Sequence, residues 1–586
     1  MNRKLVLAIL YAILLITPVL SWKFVENPLL ISNLKETFLL SSIVILAALY
    51  LLSPSQSLKG ISIPLKYPLI CLVSASVISI LRSESPVASI RGFYYVLLLA
   101  MFYGIVSVSI KNKAERTRLI VSTIIISSFI SVYFLMQYFN IDPLGLREDY
   151  PSATFTNQNF LAGFFIIVLP LSIAFTFMSH QKLHRTIFFL FTVLIFIAIL
   201  FTKTRGAWVS VALGTAFFFY IARHDIKIRK KGMVLALLLF AIFTIAIVRL
   251  GEVGKSSFAG RFKSIFNPEE SSNKHRILMW RSSLDMIKDS PWIGIGVGTF
   301  EMNYPRYQGK YLRLKEYSNY TGSTIHAHNE YVETAAETGI LGIGSLIWFI
   351  IAIFKYGSDL LKNREREERL LVVALLSGIA TTLFYGLFSF PFHMPTSSML
   401  FWFFIGILGS MVPQSAITHY LKRDVIARTP TLRRRTWQSN LVFRNFNNSV
   451  VADLGRLNLW TIRIGVVIIT IFILAWTIRP FWANIHFYKG YQSGKAGNMD
   501  AAMTSFQKSI RINPYDYKSH YNLAILYEDR NMPLPAIDEY EKVLELYPVH
   551  VETHIRLGNL YTVVGDLENA LKEYKKAEEI FPTWQK

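Results

Sequence analysis

The chain is poor in cysteine and in charge. Its one cysteine, Cys71, sits inside an apolar run, so there is no disulfide framework and no cysteine metal site. Charged residues make up 17% of 586 positions against 52% hydrophobic. That is too apolar for a typical soluble protein of this size, and it excludes intrinsic disorder, collagen-like repeats and a small disulfide scaffold. Acidic residues are the scarcer sign: 38 Asp and Glu against 61 Lys and Arg leave a formal net charge of +23. The excess points to nucleic acid, an anionic membrane face or an anionic substrate, and the placement of the charges decides among them.

What is abundant is long apolar blocks. A membrane-crossing helix needs ~20 mostly apolar residues. Thirteen such spans are expected, near 4–22, 37–53, 61–81, 92–110, 118–139, 160–178, 186–202, 206–223, 232–250, 337–356, 370–390, 395–414 and 459–479. The first begins with Arg3 and Lys4, but its apolar stretch is longer than a signal core and no small-residue cleavage site follows, so it reads as a retained helix. Lysine and arginine in short loops are held on the cytoplasmic side. With the N-terminus inside, the loops that should be basic are so: Lys111 to Arg118, Lys182 and Arg185, Arg223 to Lys231, and Lys355 to Arg369. The segment 415–458, with Arg433, Arg434 and Arg435, is the most basic of all, whereas Arg147 stands alone between the fifth and sixth spans. The positive charge is thus mostly topology, and no nucleic-acid partner is expected. On this frame the long loop 251–336 and everything after about residue 480 lie outside the cytoplasm.

The C-terminal part is periodic. Pro514, Pro548 and Pro582 recur every 34 residues, as do Ala502, Ala536 and Ala570, and Phe506, Tyr540 and Tyr574. Gly490, Ala524 and Gly558 hold a small position in the same register. This pattern, with small residues where paired helices cross and a proline ending each second helix, resembles the tetratricopeptide repeat, three copies over about 484–583. Such an array presents a concave groove for a protein partner. A rigid spacer or a self-association surface is the plainer alternative.

Four polar features carry chemistry. Lys203 and Arg205 lie in a tight turn at the outer end of the seventh span, where the amides opening the next helix also face outward, a plausible anion site. Snorkelling to lipid headgroups is the plainer reading. In the outer loop Arg261 precedes the run His275 to Arg281, in which Arg276 and Trp280 share a helix face. Gly294, Gly296 and Gly298 then let backbone approach something closely, but the lysine-bearing phosphate loop is missing and no nucleotide site is expected. Third, Asn329, Glu333 and Glu337 form a polar stripe running into the tenth span, and carboxylates that deep imply a nearby arginine or a hydrated cavity. His328, at the helix entrance, has the chemistry of a general base. His326 and His328 invite a zinc reading, but zincin spacing and an obvious third ligand are lacking, so no metal is expected. Last, Ser152 to Gly163 leads into the sixth span, where helix capping is the default role and a substrate contact by Asn159 the alternative.

In this order around one long outer loop, Thr154 to Gly163, Lys203 to Trp208, Arg276 to Gly298 and His328 to Gly342 resemble the membrane domain of the O-antigen ligase and O-antigen polymerase superfamily. That superfamily also includes bacterial protein O-oligosaccharyltransferases. The resemblance covers about residues 1–414 and implies an all-α, polytopic GT-C-like helical bundle of about 12–13 transmembrane helices, in a bacterial inner membrane. It implies an undecaprenyl diphosphate-linked glycan donor, an inverting transfer without cofactor, and lipid A-core as acceptor; another glycan or a protein takes that place in polymerases and protein transferases. Arg205, Arg276 and His328 match the family's catalytic positions: the arginines would hold the diphosphate, and His328 would activate the acceptor hydroxyl or steady the leaving group. Arginine suits this because its planar fork grips phosphate oxygens and stays charged. Lys203, Arg261, Arg281, His326, Asn329, Glu333 and Asn159 form the expected substrate-binding set. The basic linker 415–458, the further helix 459–479 and the repeats 480–586 depart from the plain ligase plan. From other classes, a polysaccharide exporter should carry polar or broken segments near mid-membrane in paired halves, whereas the polar features here cluster at the outer face. A repeat-based scaffold is the third reading.

Overall fold

The computed structural model describes residues 3–21, 28–52, 63–146, 150–226, 267, 269–322, 324–362, 364–411 and 448–581. The expected ninth span, Arg261, most of the linker and Pro582 lie outside these. The described residues form helices and no strand: α1 (Arg3–Val19), α2 (Pro28–Leu51), α3 (Lys66–Ser79), α4 (Pro86–Ser109), α5 (Lys113–Tyr138), α6 (Gln158–Met178), α7 (Lys182–Phe201) and α8 (Arg205–Ala222) come first. The outer loop contributes α9 (Ser271–Asp289) and α10 (Phe300–Gly309), followed by α11 (Glu330–Leu361), α12 (Arg366–Tyr385) and α13 (Pro395–Gly409). A single 48-residue helix, α14 (Asn448–Lys495), is followed by α15 (Met499–Ile512), α16 (Tyr517–Asp529), α17 (Pro533–Leu546), α18 (Val551–Val563) and α19 (Leu567–Ile580).

Among the described residues nine helices are long and apolar enough to cross a membrane, in α2, α4 to α8, α11, α12 and α14. Three other expected spans are shorter: α1 has 17 residues, α3 14 and α13 15. At 1.5 Å per residue these cover roughly 21–26 Å, less than the ~30 Å of hydrocarbon. A local break ends α3, which yields to a 3-10 turn at Ile80–Arg82 ahead of Pro86. Helix α13 begins where expected, at Pro395, but stops at Gly409, four residues before Pro413. Helix α11 starts earlier than hydropathy places it because Asn329 caps it, accepting from the Tyr331 and Val332 amides at 3.0 and 3.1 Å.

Helix α12 is buried along its length, with α6 and α8 packed on it. Small residues permit this approach, Gly214 lying against Thr381 and Gly378 against the Ile167 carbonyl. The loops expected to share the basic side meet at one end of the bundle. Arg3 pairs with Glu115, Lys113 with Glu367 and Arg369 with Asp225, each at 2.7 Å. In the repeats, Ala502, Ala536 and Ala570 are buried, and Gly490 and Gly558 lie against the rings of Phe506 and Tyr574, so the small positions are where paired helices cross.

Candidate active site

At the other end of the bundle, α6, α8, α9, α11 and α12 converge. Asn157 caps α6 by accepting from the Asn159 amide at 2.7 Å. Asn159 then ties three elements: its Oδ1 accepts from Thr204 Oγ1 at 3.0 Å and its carbonyl from the Tyr385 hydroxyl at 3.0 Å. This fixes Thr204, the residue that precedes Arg205 at the start of α8. Arg205 donates to Ser272 Oγ in the first turn of α9, and Arg276 follows one turn further along that helix. Burial, and then the like charge of Arg205, hold the Arg276 guanidinium below its ordinary pKa. His328 completes the group. Burial, and then the Arg276 charge, push its imidazole down to about 3, so it is neutral over the physiological range. Its backbone is left-handed, with φ of 53°, a costly conformation for a residue with a side chain. The segment is pinned by Trp280, whose indole donates to the Ala327 carbonyl at 3.1 Å, and by Phe390, edge-on to His328 at 4.9 Å.

Beneath this group the α11 stripe, expected to meet an arginine or a hydrated cavity, is buried and met by backbone amides and histidines. Glu333 accepts from the Ala327 amide at 2.8 Å and faces His326 Nδ1 at 2.7 Å. Glu337 accepts from the Gly298 and Phe300 amides at 2.8 and 3.0 Å. Glu330 accepts from the Phe392 amide at 2.5 Å. His393, from the turn between α12 and α13, lies 3.3 Å from Glu330 and 3.6 Å from Glu333. Burial pulls the His393 imidazole down, but the two carboxylates outweigh it and push it up to about 10. His326, stacked on Phe390 at 4.3 Å, goes the other way, lowered to about 3 by burial and then by the His393 charge.

The glycine series after α9 packs on protein. Ile295 and Gly296 donate to the Ala336 and Glu337 carbonyls at 3.0 and 2.9 Å, and Ile340 donates to the Pro291 carbonyl at 2.8 Å. Gly294 (φ +73°) and Gly339 (φ +62°) lie so close to the facing backbone that a Cβ would sit 2.2 and 2.4 Å from it. The close approach read from the sequence is therefore that of the outer loop onto the kink in α11.

Lys203 has φ of 53° and its ammonium lies 5.9 Å from the Tyr138 ring. Arg281 is engaged away from Arg205, 3.3 Å from Glu316 and 5.5 Å from the Tyr317 ring. Asn329 spends its carbonyl oxygen on the α11 cap. His393, Tyr385 and Phe390 escaped sequence reasoning; the one signal for them is the break that Pro391 and Pro395 make between two apolar blocks. Ligand atoms of His326, Glu333 and His393 lie within 4.8 Å of one another, so a third metal donor, absent from the sequence reading, is supplied by the fold. A proton held on His393 by two carboxylates competes with a cation there.

Residues 190–347 match the O-antigen ligase family, and residues 551–583 match the tetratricopeptide repeat. The first match runs from α7 into α11 and contains Arg205, Arg276 and His328. A general O-oligosaccharyltransferase of Acinetobacter baylyi is 23% identical over 353 residues, 56% of each chain. An uncharacterized protein of Haemophilus influenzae is 23% identical over 254 residues, 41% of this chain and 61% of that one. The chain thus spans less than two thirds of the length of either relative.

Proposed function

We propose, starting from the O-antigen ligase family domain carried by this multi-pass membrane protein, that it transfers a glycan from an undecaprenyl diphosphate-linked donor to an acceptor hydroxyl on the outer side of a bacterial inner membrane. The observation that carries this reading is the convergence of Arg205, Arg276 and His328, from three separate segments, at one end of the bundle. Two arginines close enough to repel suit a diphosphate, whose charge would relieve that repulsion. The acceptor hydroxyl attacks the anomeric carbon with inversion as the bond to the diphosphate oxygen breaks. Negative charge then grows on the leaving oxygen, where fixed cations stabilise the transition state more than the ground state. Neutral His328 accepts a hydrogen bond from the hydroxyl. Bound diphosphate offsets the Arg276 charge and raises the basicity of His328, so it can take the proton as the new bond forms. No metal is required in this scheme. Residues 251–336 are assigned as the outer catalytic loop of a domain spanning 1–414, with 415–458 cytoplasmic and 480–586 outside.

Ligation to lipid A-core is the first reading of the acceptor. Transfer to protein is the second, favoured by the Acinetobacter relative's description and by the repeats. The test is mass spectrometry on purified protein incubated with a lipid diphosphate-linked oligosaccharide and lipid A-core, a protein acceptor or no acceptor. Arg205→Ala, Arg276→Ala and His328→Ala should each lower transfer at least ~10²-fold. Near-normal turnover in all three would overturn the assignment.

A further inference from the structure

The repeats touch the outer loop at α10. The Tyr547 hydroxyl donates to the Glu301 carbonyl at 2.9 Å, and the Tyr517 hydroxyl to the Glu301 carboxylate at 3.3 Å. Met302 packs into an apolar cluster of Tyr547, Val549 and Ile580. A second cluster joins Phe581, just past α19, to Leu278, Leu312 and Tyr317 of the outer loop. Ser85, at the start of α4, donates to the Leu546 carbonyl at 3.1 Å. The sequence marks the same surface independently. The residue before the periodic proline is Asn513 in the first repeat but Tyr547 and Phe581 in the second and third, and the two aromatic copies are those that meet the outer loop.

We infer that the turn face of the second and third repeats is an interaction surface whose partner is this chain's own outer loop, and that the array clamps α9 and α10 in place over the site. Helix α10 is held at its start by Glu337, whose carboxylate receives the Gly298 and Phe300 amides, and one residue later by the array. The array is itself anchored, because α14 runs from the membrane into the first repeat as one helix, with Thr477 and Tyr94 hydroxyls 2.5 Å apart where it packs on the bundle. Clamping matters because displacing a positioning element by about 1 Å can cost transfer as much as ~10²-fold. This role rests on the transferase reading; the docking itself does not.

The test uses the full-length protein in membranes. In a Cys71→Ser background, Met302→Cys and Val549→Cys are combined and treated with a short thiol-to-thiol cross-linker, and the linked peptides are identified by mass spectrometry. The inference expects efficient cross-linking that each single variant lacks, with transfer retained within about twofold. A second pair, Glu301→Cys with Tyr517→Cys, should cross-link in the same way. Met302→Asp, which leaves the repeats' own cores intact, is expected to lower transfer about tenfold and, when added to that second pair, to abolish its cross-link. Absence of any cross-link in either pair overturns the docking whatever the enzyme's activity. Cross-linking that stops transfer until the link is cleaved overturns the clamp and makes the docked state inhibitory.

Discussion

Histidine and glutamate are buried together in two regions of this molecule, and the two arrangements differ in what they leave open. In the repeats, His520 faces Glu539 at 2.6 Å through Nδ1 and the Pro514 carbonyl at 3.1 Å through Nε2. One repeat later His554 does the same with Glu573 at 2.5 Å and Pro548 at 2.9 Å. Both ring nitrogens meet an acceptor and the unit is copied at the 34-residue period, which is how a side chain behaves when it fastens one helix to the next turn. At the bundle end no copy exists. His326 engages Glu333 through Nδ1, His393 is shared between two carboxylates, and His328 has a strained backbone beside Arg276. The same residue types thus make a strut when closed on both sides, whereas at the bundle end they lie beside the cationic Arg276, where the proposed transfer would take place.

Glu333 is where the two regions should differ most. Replacing it with alanine removes the partner of His326 and one of the two carboxylates holding His393, and breaking a buried pair in this way costs about 3–5 kcal/mol. Thermal unfolding in detergent should show that loss together with loss of transfer; an unchanged melting temperature would mean the stripe is not structural. His554→Ala should cost less, about 1–3 kcal/mol, because Glu573 keeps Lys576 at 3.1 Å. Below its melting temperature this variant should transfer glycan at the wild-type rate per folded molecule, and a slow but stable variant would erase the distinction between the two regions.

Smaller effects follow from charge. His393 is pushed up to about 10 in the folded protein, above the ~6.5 of an unfolded histidine. Its contribution to stability is therefore complete below about pH 6.5 and lost as pH rises through about 10. His328, lowered to about 3, works in the opposite direction, its contribution being lost as pH falls from about 6.5 towards 3. Melting temperature against pH should fall across the alkaline range in the wild type and fall less in His393→Gln; equal slopes would contradict the assigned ion pairs. The smallest effect expected is none: chelation should leave transfer unchanged, and loss of activity restored by a divalent cation would instead make His326, Glu333 and His393 ligands.

The helical class and the repeat array were legible because both rest on periodicity, apolar length in one and a 34-residue step in the other. The crossing of Gly558 on Tyr574 could be read before it was seen for the same reason. Span lengths were less legible, since average hydropathy passes over the 3-10 turn that ends α3 and the stop of α13 at Gly409. Arg205, Arg276 and His328, which the structure brings together, were singled out by local signals, a cationic turn, a helix face and a helix entrance. His393 was not. It reaches Glu330 and Glu333 only through the packing of α12 and α13, and no local pattern encodes a contact made across the bundle. The stripe was expected to meet an arginine or a hydrated cavity; its carboxylates instead meet the backbone amides of Gly298, Phe300 and Ala327 and the rings of His326 and His393, and amides carry no residue-type signature.

The proposed role of His328 is decided by the initial rate of glycan transfer from a lipid diphosphate-linked donor, measured side by side for wild type, His328→Ala and His554→Ala at a temperature where all three are folded. A fall of at least ~10²-fold is expected for His328→Ala, with a rate within about twofold of wild type for His554→Ala. Equal rates for the two variants, whether both fast or both slow, would overturn the role proposed for His328.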